Sequence, residues 1–296
     1  MKNYIWLVRR EFWENRAIWI VPLSLGALLT LATLFGRVNI DGLTAQVAPA
    51  TPEQGLVVGG LILFISGVVF FAMAYVYAFW YLMDCLYADR KDRSILFWKS
   101  LPISDRQTVL AKLFTGLIAI PLVYFIAADI ATLLMAVIVS LRLRAFIGGA
   151  LWHPDQWLQL QALWLYLIVT MAIWNLPLAG WLMLVSAWAK RAVILWSILP
   201  LVTAFMVERW FFGTYAFGKL VYEWLVGYPA HALLEPDSGS WVTAQIGDNA
   251  ITRPDSVWHM MNPAYFFTSL ATWACVLVGA VLVFGAIQLR LRRAET

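Results

Sequence analysis

AKLFTGLIAIPLVYFIAADIATLLMAVIVSL, residues 111–141, carries only two formal charges, Lys112 near its start and Asp129 near its middle. A membrane-crossing helix needs about 20 predominantly apolar residues to cover roughly 30 Å of hydrocarbon, and this run exceeds that. In lipid every backbone N–H and C=O must find a partner inside the segment, so the run must be helical. Five more stretches read the same way, near 17–36, 56–83, 160–187, 192–210 and 263–287. The chain is 62% hydrophobic and 13% charged, where a soluble domain is nearer half apolar and a quarter charged. The expected fold is therefore all-α and integral to the membrane, one domain over residues 1–296 with six transmembrane helices.

Basic residues set the expected orientation. With both termini inside, fifteen of the 21 Lys and Arg face the cytoplasm: four by residue 16, six between Arg90 and Lys112, then Lys190, Arg191, Arg290, Arg292 and Arg293. That bias favours N-in, C-in. The net charge of +4 is accounted for by these topology signals facing anionic headgroups, and calls for no nucleic-acid partner. Residues 1–36 do not read as a cleaved secretory signal, because Glu11 and Glu14 interrupt the basic region. Cys85 and Cys275 make no disulfide framework.

Residues 1–16, MKNYIWLVRREFWENR, predict a helix lying in the membrane interface. Tyr4, Ile5, Val8 and Phe12 recur at helical spacing, and Asn3, Arg10 and Glu14 share another face. Arg9, Arg10, Glu11 and Trp13 are its candidate functional residues, as an anchor or as a platform for a cytoplasmic partner. Pro22, Pro121, Pro177 and Pro200 fall inside spans and invite kinks, while Gly67, Gly279 and Gly285 allow close helix packing. The longest outside segment is 211–262: its aromatic first part, 211–234, predicts one or two short helices dipping into the outer leaflet, and 235–258 an exposed polar cap.

Catalytic signatures are missing: there is no phosphate-binding loop, no HExxH and no GxSxG. His153, His231 and His259 are scattered, so no metal site is expected. Ionisable residues inside spans carry more weight, since a charge in hydrocarbon is costly. Asp129 must face protein or water, as a proton or substrate group or as a hydrogen bond to a neighbouring helix. Asn175, beside Pro177, can bond across helices or to freed carbonyls, and Glu208 with Arg209 reads as an interfacial pair.

The loop 84–110 is the most distinctive segment. Asp89-Arg90-Lys91-Asp92-Arg93 leads into Ser94-Ile95-Leu96-Phe97-Trp98, then Lys99-Ser100-Leu101-Pro102-Ile103-Ser104. Asp92 or Ser94 can cap a short helix, Pro102 ends it, and Ser104 or Asp105 can cap the helix entering span three. An acidic-basic pair, a hydroxyl residue before an apolar run, Leu-Pro-Ile-Ser and then Lys112 make a pattern that resembles the permeases of the ABC-2 type exporter family. The basic N-terminal helix with Arg10-Glu11, the six spans and the long segment before span six are similar too. The family more often has Glu-Arg and Gly-Thr where this chain has Asp-Arg and Arg-Ser.

The resemblance implies the membrane subunit of an ATP-driven exporter in the plasma (bacterial inner) membrane, paired with a second copy or a homologue. Two cytoplasmic ATPase subunits would bind ATP and Mg²⁺, and this chain would carry no cofactor and perform no hydrolysis. Asp89, Arg90, Asp92, Arg93, Ser94, Ile95, Leu96, Phe97, Trp98, Leu101 and Pro102 would form the coupling segment, with Phe97 and Trp98 seated in a cleft on the ATPase. The translocation path would lie near spans one, two and five. Two other classes compete. An ion- or proton-coupled secondary transporter would use Asp129 and show inverted repeats and broken helices, neither of which the sequence displays. A lipid-modifying membrane enzyme would need an acid, base or nucleophile set that is not identifiable.

Overall fold

A computed structural model describes residues 2–36, 52–91, 104–142, 151–233, 241–246, 249–254 and 257–292. Six helices are long and apolar enough to cross a membrane: Ala17–Phe35, Leu63–Lys91, Asp105–Arg142, Pro154–Trp174, Val193–Phe212 and Leu270–Arg292, here spans one to six. The chain is a multi-pass membrane protein built of helices.

Spans two and three are longer than the apolar runs that announce them. The second helix continues to Lys91 and the third begins at Asp105. Ser104 fixes that start. Its backbone is extended, its Oγ accepts from the Gln107 N–H at 3.3 Å, and Gln107 Oε1 accepts from the Ser104 N–H at 3.2 Å. This reciprocal capping box satisfies two otherwise orphaned donors and leaves the Asp105 carboxylate available elsewhere. Further along, the Pro121 ring crowds the carbonyl four residues back. The turn before it, Thr115–Ala119, widens to a π-helix in which the Ile120 N–H reaches Thr115 O, and the helix survives the proline.

Span four departs from the single helix expected over 160–187. Pro154–Trp174 and Leu176–Trp188 are separate helices meeting at Asn175. Pro177 removes a donor from the first turn of the second piece. Asn175 spans the gap: its Nδ2 donates to Met171 O at 3.0 Å, and its Oδ1 accepts from the Tyr75 hydroxyl of span two at 3.0 Å.

The most extensive helix–helix contact joins Leu176–Trp188 to span six. A Cβ added to Gly180 would fall 2.8 Å from Leu282 Cβ, and one added to Gly279 would fall 2.6 Å from Leu176 Cβ. Glycine is what lets these backbones approach. Ile18, Phe70, Leu86, Val109, Tyr124, Met183 and Ala286 form the core around them. A second cluster, with Leu163, Trp164, Trp174, Phe266 and Cys275, fills the other part of the bundle. Spans one and five stand at the periphery, 17% and 11% buried against 28–44% for the others. Most of their apolar surface finds no partner within the described chain.

The turn from span four to span five passes through Ala192 at φ 51°, ψ 53°, the left-handed region that costs an L-residue roughly 1–2 kcal/mol. Span two holds this turn. The Arg90 guanidinium donates to Ser186 O and, at 2.8 Å, to Ala189 O. Ser186 Oγ accepts from the Leu86 and Tyr87 N–H groups at 3.1 and 3.0 Å.

Between spans five and six, short helices form at Ala216–Val226 and Tyr228–Ala232, as the aromatic run predicts. Tyrosines tie them to span four: Tyr228 Oη donates to Leu167 O at 2.9 Å, and Tyr166 Oη to Ala232 O at 2.7 Å. Within the stretch expected as a polar cap, the described residues depart from all-helical structure. Trp241–Ile246 and Asn249–Pro254 pair as antiparallel strands, Trp241 opposite Pro254 and Ile246 opposite Asn249. Val242, Thr243, Ile251 and Thr252 supply β-branched residues on either side of Gly247-Asp248, a hairpin signal in the sequence. Span six, expected from residue 263, begins as a separate turn, Pro263–Thr268, before Leu270–Arg292.

Replacing Gly279 by Val should drive span six away from Leu176–Trp188 and cost about 1–3 kcal/mol. A thermal melt of the purified protein in detergent reads this, and an unchanged midpoint would refute the close approach.

Candidate functional site

The two helix ends that flank residues 92–103 meet in a buried chain of charges. Arg10 Nη2 donates to Glu11 Oε1 at 2.7 Å. Glu11 holds the Lys112 ammonium through both oxygens, at 3.0 and 3.1 Å. Lys112 Nζ lies 3.3 Å from Asp89 Oδ1. Asp89 Oδ2 accepts from Arg290 Nη1 at 2.9 Å, and Arg290 Nε donates to Asp105 Oδ1 at 2.9 Å. Six groups thus alternate in sign, from the N-terminal helix through spans two and three to the end of span six. Glu11 is 1% exposed, Lys112 2%, Asp89 5% and Arg290 6%. Tyr81 of span two adds a neutral donor, its hydroxyl 2.8 Å from Glu11 Oε2.

Taking such groups out of water costs several kcal/mol each, and only good geometry on every member offsets it. Here Glu11 and Asp89 are each met by two cations, and Asp105 by Arg290. The chain of charges fixes four helix segments to one another at one point. Arg290 has a particular position, because it grips Asp89 just before residues 92–103 and Asp105 just after them.

Beside this chain lies an open cavity of about 790 Å³. Glu14 at the end of the N-terminal helix and Asn15 just after it, Tyr77, Trp80, Asp84 and Tyr87 along span two, and Ala192, Val193 and Ile194 at the start of span five line it. Burial lifts the Glu14 carboxyl above its ordinary range, opposed by Arg10 3.4 Å away.

The residues singled out from sequence divide sharply. Asp92, Arg93, Ser94, Ile95, Leu96, Phe97, Trp98, Leu101 and Pro102 lie outside the described residues. Asp89 and Arg90 are described, and both face the bundle: Asp89 joins the charge chain, while Arg90 holds the turn after span four. In the N-terminal helix, Lys2–Glu14, Arg9 lies over the rings of Trp6 and Trp13 at 5.2 and 4.8 Å, and Trp13 is 62% exposed. That face suits an interface, but Arg10 and Glu11 turn inward, so the helix is docked on the bundle rather than only laid beside it. Asp129 Oδ1 accepts from Gln161 Nε2 at 2.7 Å, a bond between spans three and four. Asn175 bonds both across helices and to a freed carbonyl. Glu208 does not pair with Arg209. It accepts from Thr214 Oγ1 at 2.8 Å and the Phe217 N–H at 2.9 Å, satisfying donors at the start of the next helix, and Arg209 lies over Tyr215 instead, 4.7 Å from the ring centre.

Sequence reading undervalued Lys112 and Arg290, which looked like topology signals, and did not single out Tyr81. The available clue was balance: Glu11, Asp89 and Asp105 sit at the same set of span ends as Arg10, Lys112 and Arg290. The stripe Tyr77, Trp80, Asp84, Tyr87, spaced i, i+3, i+7, i+10, was also legible as one helix face. Among the described residues no three His, Cys, Asp or Glu gather in a group that could hold a metal ion. Comparison with protein-family models, with curated proteins and with solved structures returns no match.

Lys112→Met leaves Glu11 and Asp89 without their shared cation and should cost about 3–5 kcal/mol. Adding Glu11→Gln to it should restore part of that loss. Thermal melts of the two single variants and the double variant measure the coupling, and strictly additive losses would show that the two groups do not interact.

Proposed function

We propose that this chain is the membrane-spanning permease subunit of an ATP-driven exporter of the ABC-2 type. It would sit in the bacterial inner membrane with both termini cytoplasmic, alongside a second copy or homologue. The observation that carries the reading is the grip of Arg290 on Asp89 and Asp105, the two sides of the segment whose pattern resembles a coupling helix. A loop that only linked two spans would need no such bracing. A loop that receives force from a motor does, because any displacement of residues 92–103 must pass into spans two, three and six together. Lys112 and Glu11 extend the same frame to the N-terminal helix.

Two further observations support it. The large cavity is bounded by the end of the N-terminal helix, span two and the start of span five, and the last two are among the helices that the resemblance associates with the translocation path. Spans one and five also expose most of their apolar surface, as subunits that meet a second permease through these helices would. In this reading two ATPase subunits bind ATP with Mg²⁺ and close on each other. Their closure pulls the coupling segments, and the braced bundles rock between inward- and outward-facing states. Contacts that differ between those states supply the work. Hydrolysis takes place on the partners.

A second reading has its own observation. The interruption of span four at Asn175 and the Asp129–Gln161 bond within the bundle suit an ion-coupled transporter. Purification of the tagged chain from its native membranes separates the two. The exporter reading expects an ATP-hydrolysing protein to come with it, and expects Phe97→Ala with Trp98→Ala to reduce that association about tenfold or more while membrane insertion is unchanged. Equal ATPase recovery and equal transport by the double variant would refute the docking role. Transport that needs no ATPase and is lost in Asp129→Asn would favour the ion-coupled protein.

A further inference from the structure

The cavity between the end of the N-terminal helix, span two and the start of span five has a wall whose chemistry names a ligand class. Tyr77, Trp80, Asp84 and Tyr87 follow one another along a single face of span two, about 15 Å from first to last at 1.5 Å per residue. Trp80 and Asp84, one turn apart, are both exposed, and Asp84 has no ion-pair or hydrogen-bond partner among the described residues. Glu14 faces the same space from the end of the N-terminal helix. The lining ammonium, Lys112, is committed to Glu11 and Asp89, and Arg90, whose guanidinium lies 5.9 Å from the Tyr87 ring centre, is committed to the carbonyls after span four. Lys190 and Arg191 are exposed next to the start of span five and are not among the lining residues.

Among the described residues, what remains unsatisfied is therefore negative and aromatic: one free carboxylate, a second only partly compensated by Arg10, and open ring faces beside them. A cation draws favourable energy from an aromatic face, more when partly desolvated, and the apolar start of span five would cover its other side. An anion would meet Asp84 and Glu14 with no free counter-charge on the lining. A neutral apolar molecule would leave the carboxylates unused.

We propose that this cavity binds organic cations with a bulky apolar body, and that Asp84 and Trp80 select them. The inference rests on the permease reading for its meaning as cargo recognition, but the binding itself does not. Asp84 supplies the charge, Trp80 and Tyr77 the ring faces, and the volume of about 790 Å³ accommodates a drug-sized molecule, for which pockets of about 300–1,000 Å³ are usual. Tyr81, which lines the same cavity, also donates to Glu11, so an occupied wall touches the charge chain directly.

The test uses the full-length chain, purified in detergent, and two probes of nearly equal shape and opposite charge, tetraphenylphosphonium and tetraphenylborate, each radiolabelled. Saturable, displaceable binding is expected for the cation and not for the anion. Asp84→Asn should weaken cation binding about tenfold, and Trp80→Leu about fivefold. Asp84→Lys should reverse the preference between the probes. Glu223→Gln, in the short helix between spans five and six, should change neither. Equal binding of both ions, no saturable cation binding, or full affinity in Asp84→Asn would each overturn the proposal. Elution volume on gel filtration and melting temperature verify that every variant is folded. Recovery of an ATPase with the chain is scored separately: cation binding without an ATPase keeps the site and removes the exporter, and an ATPase without cation binding does the reverse.

Discussion

Everything at one end of this bundle depends on a single ammonium group. Lys112 Nζ sits buried between Glu11 and Asp89, giving each carboxylate a second cation beside Arg10 and Arg290. The arrangement joins an amphipathic N-terminal helix, the end of span two and the start of span three, and through Arg290 it recruits the end of span six. Hydrophobic packing in a membrane gives little preference for one helix pairing over another, because lipid tails are as apolar as Leu. Alternating charges do discriminate. They define which helix ends belong together, and they do so at the site from which residues 92–103 depart.

That constraint has a counterpart further into the membrane, where the contact between Leu176–Trp188 and span six relies on Gly180 and Gly279 rather than on charge. Spans two, three, four and six are thus secured at more than one level. Span five is held less, and its start borders the large cavity, whereas span one packs along span three and Arg142 holds the carbonyls at its end. For a permease as proposed, this distribution separates a rigid body from a more exposed rim, with the aromatic stripe of span two at the seam.

Much of the fold was legible because its signals are collective. Six apolar runs, a capping Ser before Asp105 and small residues at helix contacts each follow from the physics of a helix in lipid. What escaped was decided by single atoms. A run of apolar residues over 160–187 does not disclose that Pro177 and Asn175 will divide it, because helices in membranes often continue through a proline. Glu11 and Arg10 lie in a helix whose apolar stripe predicts an interfacial position, and nothing local says which of its charges will turn inward. Partners about 70 and 101 residues away make that choice for Glu11: Tyr81 and Lys112. Glu208 likewise prefers free N–H groups a few residues on to the adjacent Arg209, a competition that pairing by proximity in sequence misjudges.

The left-handed Ala192 carries a consequence for how span five is positioned. Its helix is joined to span four by a few residues, and the carbonyls just ahead of the turn are held by Arg90, the residue next to Asp89 in the charge chain. Span five therefore takes its bearing from the end of span two as much as from its neighbour in sequence. A shift of that end by even a fraction of a helical turn would be passed to span five as a swing about Ala192, so that a pull on one rim of the cavity resets the opposite rim.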